Sequence, residues 1–163
     1  MSKYFTVSWE ELHRDSRALV WRLLELPESK EGRWKGLMAI TRGGLVPAAI
    51  VARELEIRLV DTVCIASYES QQQGSLRVMK EAMNVTDEGE GWLIIDDLVD
   101  TGKTAEAIKA IYPKAHLATV YAKPLGQPLV DTFITGVSQD TWIMFPWDMA
   151  QASSEPLITQ ARK

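Results

Sequence analysis

Two adjacent carboxylates and a threonine-rich turn lie a few residues apart in Trp92-Leu93-Ile94-Ile95-Asp96-Asp97-Leu98-Val99-Asp100-Thr101-Gly102-Lys103-Thr104. Paired acidic oxygens suit a hard divalent cation or the hydroxyls of a sugar. Backbone N–H groups at a helix start, with hydroxyls on either side of a glycine, suit a phosphate. Gly102 lets the backbone approach phosphate oxygens closely. On this reading Gly102→Val blocks the phosphate and leaves the fold largely intact, because the turn lies at the surface. Taken singly, the acids describe a solvated loop and the threonines an ordinary helix cap. Side by side after four apolar residues, they argue for a site at the carboxyl end of a buried strand, the edge where open α/β sheets bind ligands.

Gly102-Lys103-Thr104 also ends like a nucleotide-binding P-loop. That loop needs a glycine five positions before Gly102, and position 97 is Asp. The acids here precede the turn, whereas a P-loop protein carries its acid on a later, separate strand. Both points exclude the P-loop reading.

The elements that must position this window follow from periodicity. Ser8 and Glu11 form a capping box ahead of a helix over 8–26, marked by Leu12, Leu19, Val20, Leu23 and Leu24 and ended by Pro27. Gly36–Thr41 is an apolar strand that stops at the turn Arg42-Gly43-Gly44. A helix follows over 45–55, with Pro47 tolerable in its first turn. Strands are expected over 57–68, 75–82, 92–95 and 117–122, and a helix over 104–111. A polar loop with three glutamines separates the second and third strands. Strands that are apolar throughout and alternate with helices predict an α/β fold, its mostly parallel central sheet covered on both faces. After Lys123-Pro124 the rhythm breaks. Residues 124–148 read as a small irregular hood, and 149–163 as a tail, of a single domain.

Composition sets the outer limits. The 163 residues are 46% apolar and 25% charged, and the net charge is −4, which argues against a broad electrostatic grip on nucleic acid. Cys64 is the single cysteine and lies in an apolar run, so no internal disulfide forms and a small core residue in a reducing compartment is expected. The N-terminus lacks the apolar stretch of a secretory signal, and no run reaches the roughly 18 apolar residues of a membrane span. An intracellular protein that does not span a membrane is expected. His13 and His116 match no catalytic pattern and read as structural or surface residues.

The 13-residue window matches at every position the phosphoribosyl pyrophosphate (PRPP) fingerprint of the type I phosphoribosyltransferases. From about Ser2 to Asp148 the chain resembles the bacterial xanthine-guanine branch of that family. That closer likeness is carried by Ile40-Thr41-Arg42-Gly43-Gly44-Leu45-Val46-Pro47, by Ser67-Tyr68, and by Trp142-Ile143 followed by Pro146-Trp147-Asp148.

The resemblance implies purine salvage: transfer of the phosphoribosyl group from PRPP to guanine, xanthine or hypoxanthine, with release of pyrophosphate and with Mg²⁺ as cofactor. It assigns the 5-phosphate to Asp100, Thr101, Gly102, Lys103 and Thr104, includes Leu98 and Val99 in the PRPP-binding set, and gives the ribose hydroxyls and magnesium to Asp96 and Asp97. Arg42 and Gly43 become the pyrophosphate loop, with a non-proline cis peptide just before the arginine. Asp100, near purine N7, is the acid/base. Lys123 meets the 6-oxo group, Trp142 stacks on the ring, Ile143 offers its backbone to the purine edge, and Asp148 lies near a second metal. Ser67-Tyr68 and the loop behind them resemble a mobile flap. A homotetramer is also implied, in the cytoplasm, with loose attachment to the inner face of the cytoplasmic membrane for which the sequence shows no device.

Three departures stand out. Gln71-Gln72-Gln73-Gly74 replaces a flap stretch that commonly carries an arginine, leaving Arg77 or Lys80 as substitutes. Met144-Phe145 replaces more polar residues near the base edge, and Lys103 a frequent glycine. Two rival readings are a PRPP-sensing regulator of the same fold, which would be expected to add a nucleic-acid-binding surface, and a transferase for adenine or orotate, which should lack the Lys123 and Trp142-Ile143 arrangement.

Overall fold

The computed structural model describes residues 3–67, 76–148 and 158. Its centre is a six-stranded sheet of β2 (Gly36–Thr41), β3 (Val60–Ser67), β4 (Leu76–Lys80), β5 (Trp92–Val99), β6 (His116–Ala122) and β7 (Thr132–Gly136), in the order β4-β3-β2-β5-β6-β7. Only the β3–β4 pairing is antiparallel. A second, two-stranded parallel sheet pairs β1 (Lys3–Thr6) with β8 (Thr141–Met144).

The pleat explains why the central strands are apolar at every position. Leu37, Ala39, Leu93 and Ile95 enter one core cluster, with α1 (Trp9–Leu23) and α3 (Leu45–Glu54). Met38, Ile40, Trp92 and Ile94 enter the other, with α4 (Lys103–Ile111). Each burial of such a side chain contributes about 1.5–3 kcal/mol, so the alternation commits both faces to helical cover.

The strand order sets the site. From β2 the chain passes through α3 to β3 on one side, and from β5 through α4 to β6 on the other. The carboxyl ends of β2 and β5 therefore flank the point where the winding reverses, and there the loops diverge and leave a crevice.

The capping box at α1 is present: Ser8 N–H donates to Glu11 Oε2 at 2.7 Å, and Glu11 N–H to Ser8 Oγ at 3.1 Å. Helix α1 is anchored from within by the Tyr121 hydroxyl, which donates to the buried Asp15 carboxylate at 2.5 Å. Burial and this partner push the Tyr121 pKa well up, so the phenol stays a donor.

Several boundaries differ from those the sequence predicts. Helix α1 ends at Leu23, not 26, because Pro27 drives Leu26 to an extended backbone (φ −72°, ψ 145°) and opens a separate one-turn helix, α2 (Pro27–Lys30). Strand β5 runs on to Val99, so the acids lie within it; pairing to β6 continues through Asp96↔Thr119 and Leu98↔Tyr121 and overrides their polar character. Residues 124–148 are less irregular than expected, since they contain β7 and β8. Cys64 is half-buried, not a fully enclosed core residue.

Candidate active site

At the end of β2 the peptide between Thr41 and Arg42 is cis, in agreement with the resemblance. The turn that follows is pressed onto β5. A Cβ on Gly43 would lie 2.6 Å from both Cγ and Oδ1 of Asp97, and one on Gly44 would lie 2.7 Å from the Ile40 carbonyl oxygen. Glycine at both positions is what lets Arg42-Gly43 reach the acid pair. Arg42 is exposed at the head of this turn.

The acid pair itself is turned by local hydrogen bonds. Asp97 N–H donates to Asp96 Oδ1 at 2.9 Å, and Leu98 N–H to Asp97 Oδ1 at 2.7 Å. Burial, and next the negative Asp97, hold the Asp96 carboxyl well above the usual carboxylate range. Burial also raises Asp97; hydrogen bonds with Asp96 and the Leu98 N–H pull it down, and the Asp148 charge pushes it up again. Asp148 sits in the single 3₁₀ turn Pro146–Asp148, where its Oδ2 accepts from Phe145 N–H at 3.1 Å.

Beyond the acids, Asp96, Asp100, Thr101, Gly102, Lys103 and Thr104 line a cleft of about 130 Å³. Gly102 is the N-cap of α4 in the left-handed region (φ 90°, ψ 0°). It is buried, and an added Cβ would run into the Leu129 side chain. This corrects the expectation of an open surface turn: any larger residue at 102 strains the backbone and displaces Leu129, so loss of function there would not isolate phosphate binding.

A second cluster faces the same edge. Lys123 is only 5% exposed, and its Nζ donates to Asp100 Oδ2 at 2.9 Å. Gln139 Nε2 donates to Asp100 Oδ1 at 2.7 Å, while its Oε1 accepts from Leu125 N–H at 3.0 Å. On β8, Trp142 is 63% exposed and the next residue, Ile143, is buried in the core. Core packing is therefore excluded for Trp142. In the pairing with β1 it lies beside Tyr4, also exposed. Phe145 is buried, stacked on Trp147 at 4.9 Å and edge-on to Tyr121 at 5.7 Å, so it ties the hood to the main core.

The structure thus brings Gly43, which follows Arg42, to Asp97, Asp96 to the Thr101–Thr104 turn, and Asp100 to Lys123. Gln139 went unnoticed in the sequence. It lies in a polar stretch between two short strands, with no spacing to mark it. Lys80, one of the two expected flap substitutes, is committed elsewhere, to Asp61 Oδ1 at 2.8 Å. The flap residues 68–75, Tyr68 included, lie outside the described residues, as does the tail apart from Ile158. His13 is exposed. His116 sits on β6 with Nε2 2.8 Å from Thr132 Oγ1, and burial lowers its pKa. Neither histidine is part of this site.

A strand–turn–helix phosphate cleft with an acid pair at the switch point of a doubly covered sheet is the architecture of a phosphoribosyltransferase. The chain belongs to that family: the phosphoribosyl transferase domain matches residues 8–154. It is 59% identical to the xanthine-guanine phosphoribosyltransferase of Nitratidesulfovibrio vulgaris strain DP4, over 99% of this chain and 94% of that one. It is 56% identical to the protein of that name from Desulfotalea psychrophila, over 98% and 95%. Among solved structures it resembles a purine phosphoribosyltransferase from Pyrococcus horikoshii Ot3 (TM-score 0.76, 21% identity, 91% and 97% covered). It also resembles the xanthine-guanine-hypoxanthine phosphoribosyltransferase of Helicobacter pylori (TM-score 0.73, 21% identity, 98% of each chain).

Proposed function

We propose that this protein is a purine-salvage enzyme that transfers the 5-phosphoribosyl group of PRPP to guanine, xanthine and hypoxanthine, releasing pyrophosphate. The observation that carries this reading is the contact of the buried Lys123 with Asp100, which lines the cleft, in a chain with full-length xanthine-guanine relatives. Lysine donates and does not accept, so it suits a 6-oxo group and leaves adenine's amino group facing a donor.

In this reading the backbone N–H groups and hydroxyls of Thr101–Thr104 hold the 5-phosphate, and Asp96 takes the ribose hydroxyls. Arg42 and the Gly43 backbone hold pyrophosphate as it leaves C1. The purine nitrogen enters on the opposite face through an oxocarbenium-like transition state, which needs no protein nucleophile. Trp142 stacks on the ring, and the Ile143 backbone meets its edge. Lys123 has three N–H donors and directs one to Asp100, so it can donate to the 6-oxo group while still holding that carboxylate. Asp100 accepts the proton near N7.

The acid pair fits Mg²⁺. Two half-buried carboxyls with raised pKa values, and Asp148 repelling Asp97, make a site short of positive charge and rich in hard oxygen donors. When bound at Asp97 and Asp148, the cation supplies neutralisation of the pyrophosphate charge. On the resemblance, the same proposal includes a homotetramer in the cytoplasm; within the described residues no helix is long and apolar enough to cross a membrane.

A panel of purine bases with PRPP and Mg²⁺, read as kcat/KM, tests the proposal. Efficient use of guanine and xanthine, with adenine lower by roughly 10⁴-fold, supports it. Efficient adenine use overturns the substrate class, and PRPP binding without transfer to any base overturns the enzyme reading.

A further inference from the structure

We infer that Gln139 is a positioning residue for the transfer, holding the Asp100 carboxylate at the angle from which it meets the purine; this rests on the role of Asp100 proposed above. Asp100 sits at the exposed end of β5, where a short side chain turns freely about its terminal bond unless both oxygens are engaged. Here both are. Lys123 Nζ reaches Oδ2 at 2.9 Å and Gln139 Nε2 reaches Oδ1 at 2.7 Å, and two donors on two oxygens fix the plane of the carboxylate.

The partners leave no ambiguity in the Gln139 amide. A carboxylate accepts and the Leu125 N–H donates at 3.0 Å, so the NH₂ group faces Asp100 and the carbonyl faces residue 125. Gln139 has a further property that Lys123 lacks. Lys123 follows directly on β6, whereas Gln139 lies in the segment between β7 and β8, three residues before Trp142. One amide therefore ties the proposed proton acceptor to the segment that carries the stacking ring. As Lys123 turns its other donors toward a 6-oxo group, Gln139 keeps its hold on Oδ1 and leaves the remaining lone pair of Oδ2 for the purine.

The test is a double-mutant cycle on guanine transfer with wild type, Gln139→Ala, Asp100→Asn and the double variant, together with Gln139→Glu. Gln139→Ala is expected to lower kcat/KM for guanine about tenfold, with KM for PRPP unchanged, the scale of a hydrogen bond to a charged group. In the Asp100→Asn background the same change should cost less than about twofold, because the residue acts through Asp100. Gln139→Glu keeps an acceptor for the Leu125 N–H but turns a negative oxygen toward Asp100, so it should lose at least as much as Ala. Because that variant preserves the turn, it carries the same cycle if melting shows that Gln139→Ala is poorly folded.

An equal loss in both backgrounds overturns the inference, since Gln139 would then act independently of Asp100. So does wild-type activity in Gln139→Glu, which would reduce the residue to an anchor for Leu125. Full activity in Asp100→Asn removes the reading of Asp100 and the inference with it, and this failure is visible without any change at position 139.

Discussion

The polar groups from Asp96 to Thr104 that face the cleft proposed for the phosphate come from one strand, the helix after it and the turn between them, while Ile40, Leu117, Thr119 and Val130 complete its walls from elsewhere. The cluster around Asp100 gathers Lys123 from the end of β6 and Gln139 from between β7 and β8, in the segment that leads to Trp142 on a strand paired with β1 from the other end of the chain. The two halves also differ in charge. The acid pair is half-buried and turned by backbone N–H groups, whereas the Asp100 carboxylate is held by a lysine and an amide. A local device can be strained and still form, because its neighbours in sequence hold it in place. A device assembled from distant segments forms only where its parts attract one another, and the Lys123–Asp100–Gln139 network supplies that attraction.

The most severe way to break this contrast is at Gly43, where the local half depends on one close approach. Gly43→Ala drives a Cβ into the Asp97 carboxylate and should cost about 10²-fold in kcat/KM, the scale of a misplaced reacting group. Guanine transfer at saturating PRPP measures it, and near-normal activity would mean that the turn need not touch Asp97. Gly44→Ala differs in kind: its Cβ meets the backbone at Ile40, which cannot swing aside, so it should lower Tm.

Lys123→Met probes the assembled half. It should lower kcat/KM for guanine and xanthine by about 1.5–3 kcal/mol, roughly ten- to a hundredfold, and narrow the gap to adenine without making adenine a good substrate. An unaltered guanine rate would remove Lys123 from the site.

Asp97→Asn sharpens the difference in charge. It should weaken magnesium-dependent PRPP binding and lower turnover at limiting Mg²⁺ by about tenfold or more. The same variant should be more stable at neutral pH. A carboxyl whose folded pKa is raised keeps a proton that the unfolded chain has released, so stability falls as pH rises from the ordinary value of 3.8 toward the folded one. Asparagine keeps the acceptor for Leu98 N–H and removes that loss. Thermal melting at pH 7 and at pH 4 checks the sign: the gain should shrink at the lower pH.

The smallest effect belongs to Trp142. Its ring is largely exposed, so Trp142→Ala should leave Tm nearly unchanged and raise KM for the base by the equivalent of about 1 kcal/mol, the lower end for a stacked base. A large fall in Tm would make the residue part of the fold instead.

The sequence by itself determined the phosphate half. Apolar β5, the acids, the threonine turn and α4 lie within 20 residues, so hydrophobic periodicity and helix-start chemistry are enough to read them, as they are for the Ser8–Glu11 capping box. It also determined the α/β class, because strands with no polar face need cover on both sides. Only the tertiary structure decided that β2 and β5 are neighbours, and so that Gly43 meets Asp97. Pairing of parallel strands joined by long crossovers leaves no mark on local spacing. The same holds for β1, which finds β8 some 135 positions away, and for Gln139, whose role is set by the carboxylate it reaches and not by any pattern around it. Gly102 shows the limit from the other side. Its place in a helix-start turn was legible, but its left-handed backbone and the Leu129 side chain packed against it, from beyond β6, could be seen only once the chain had folded.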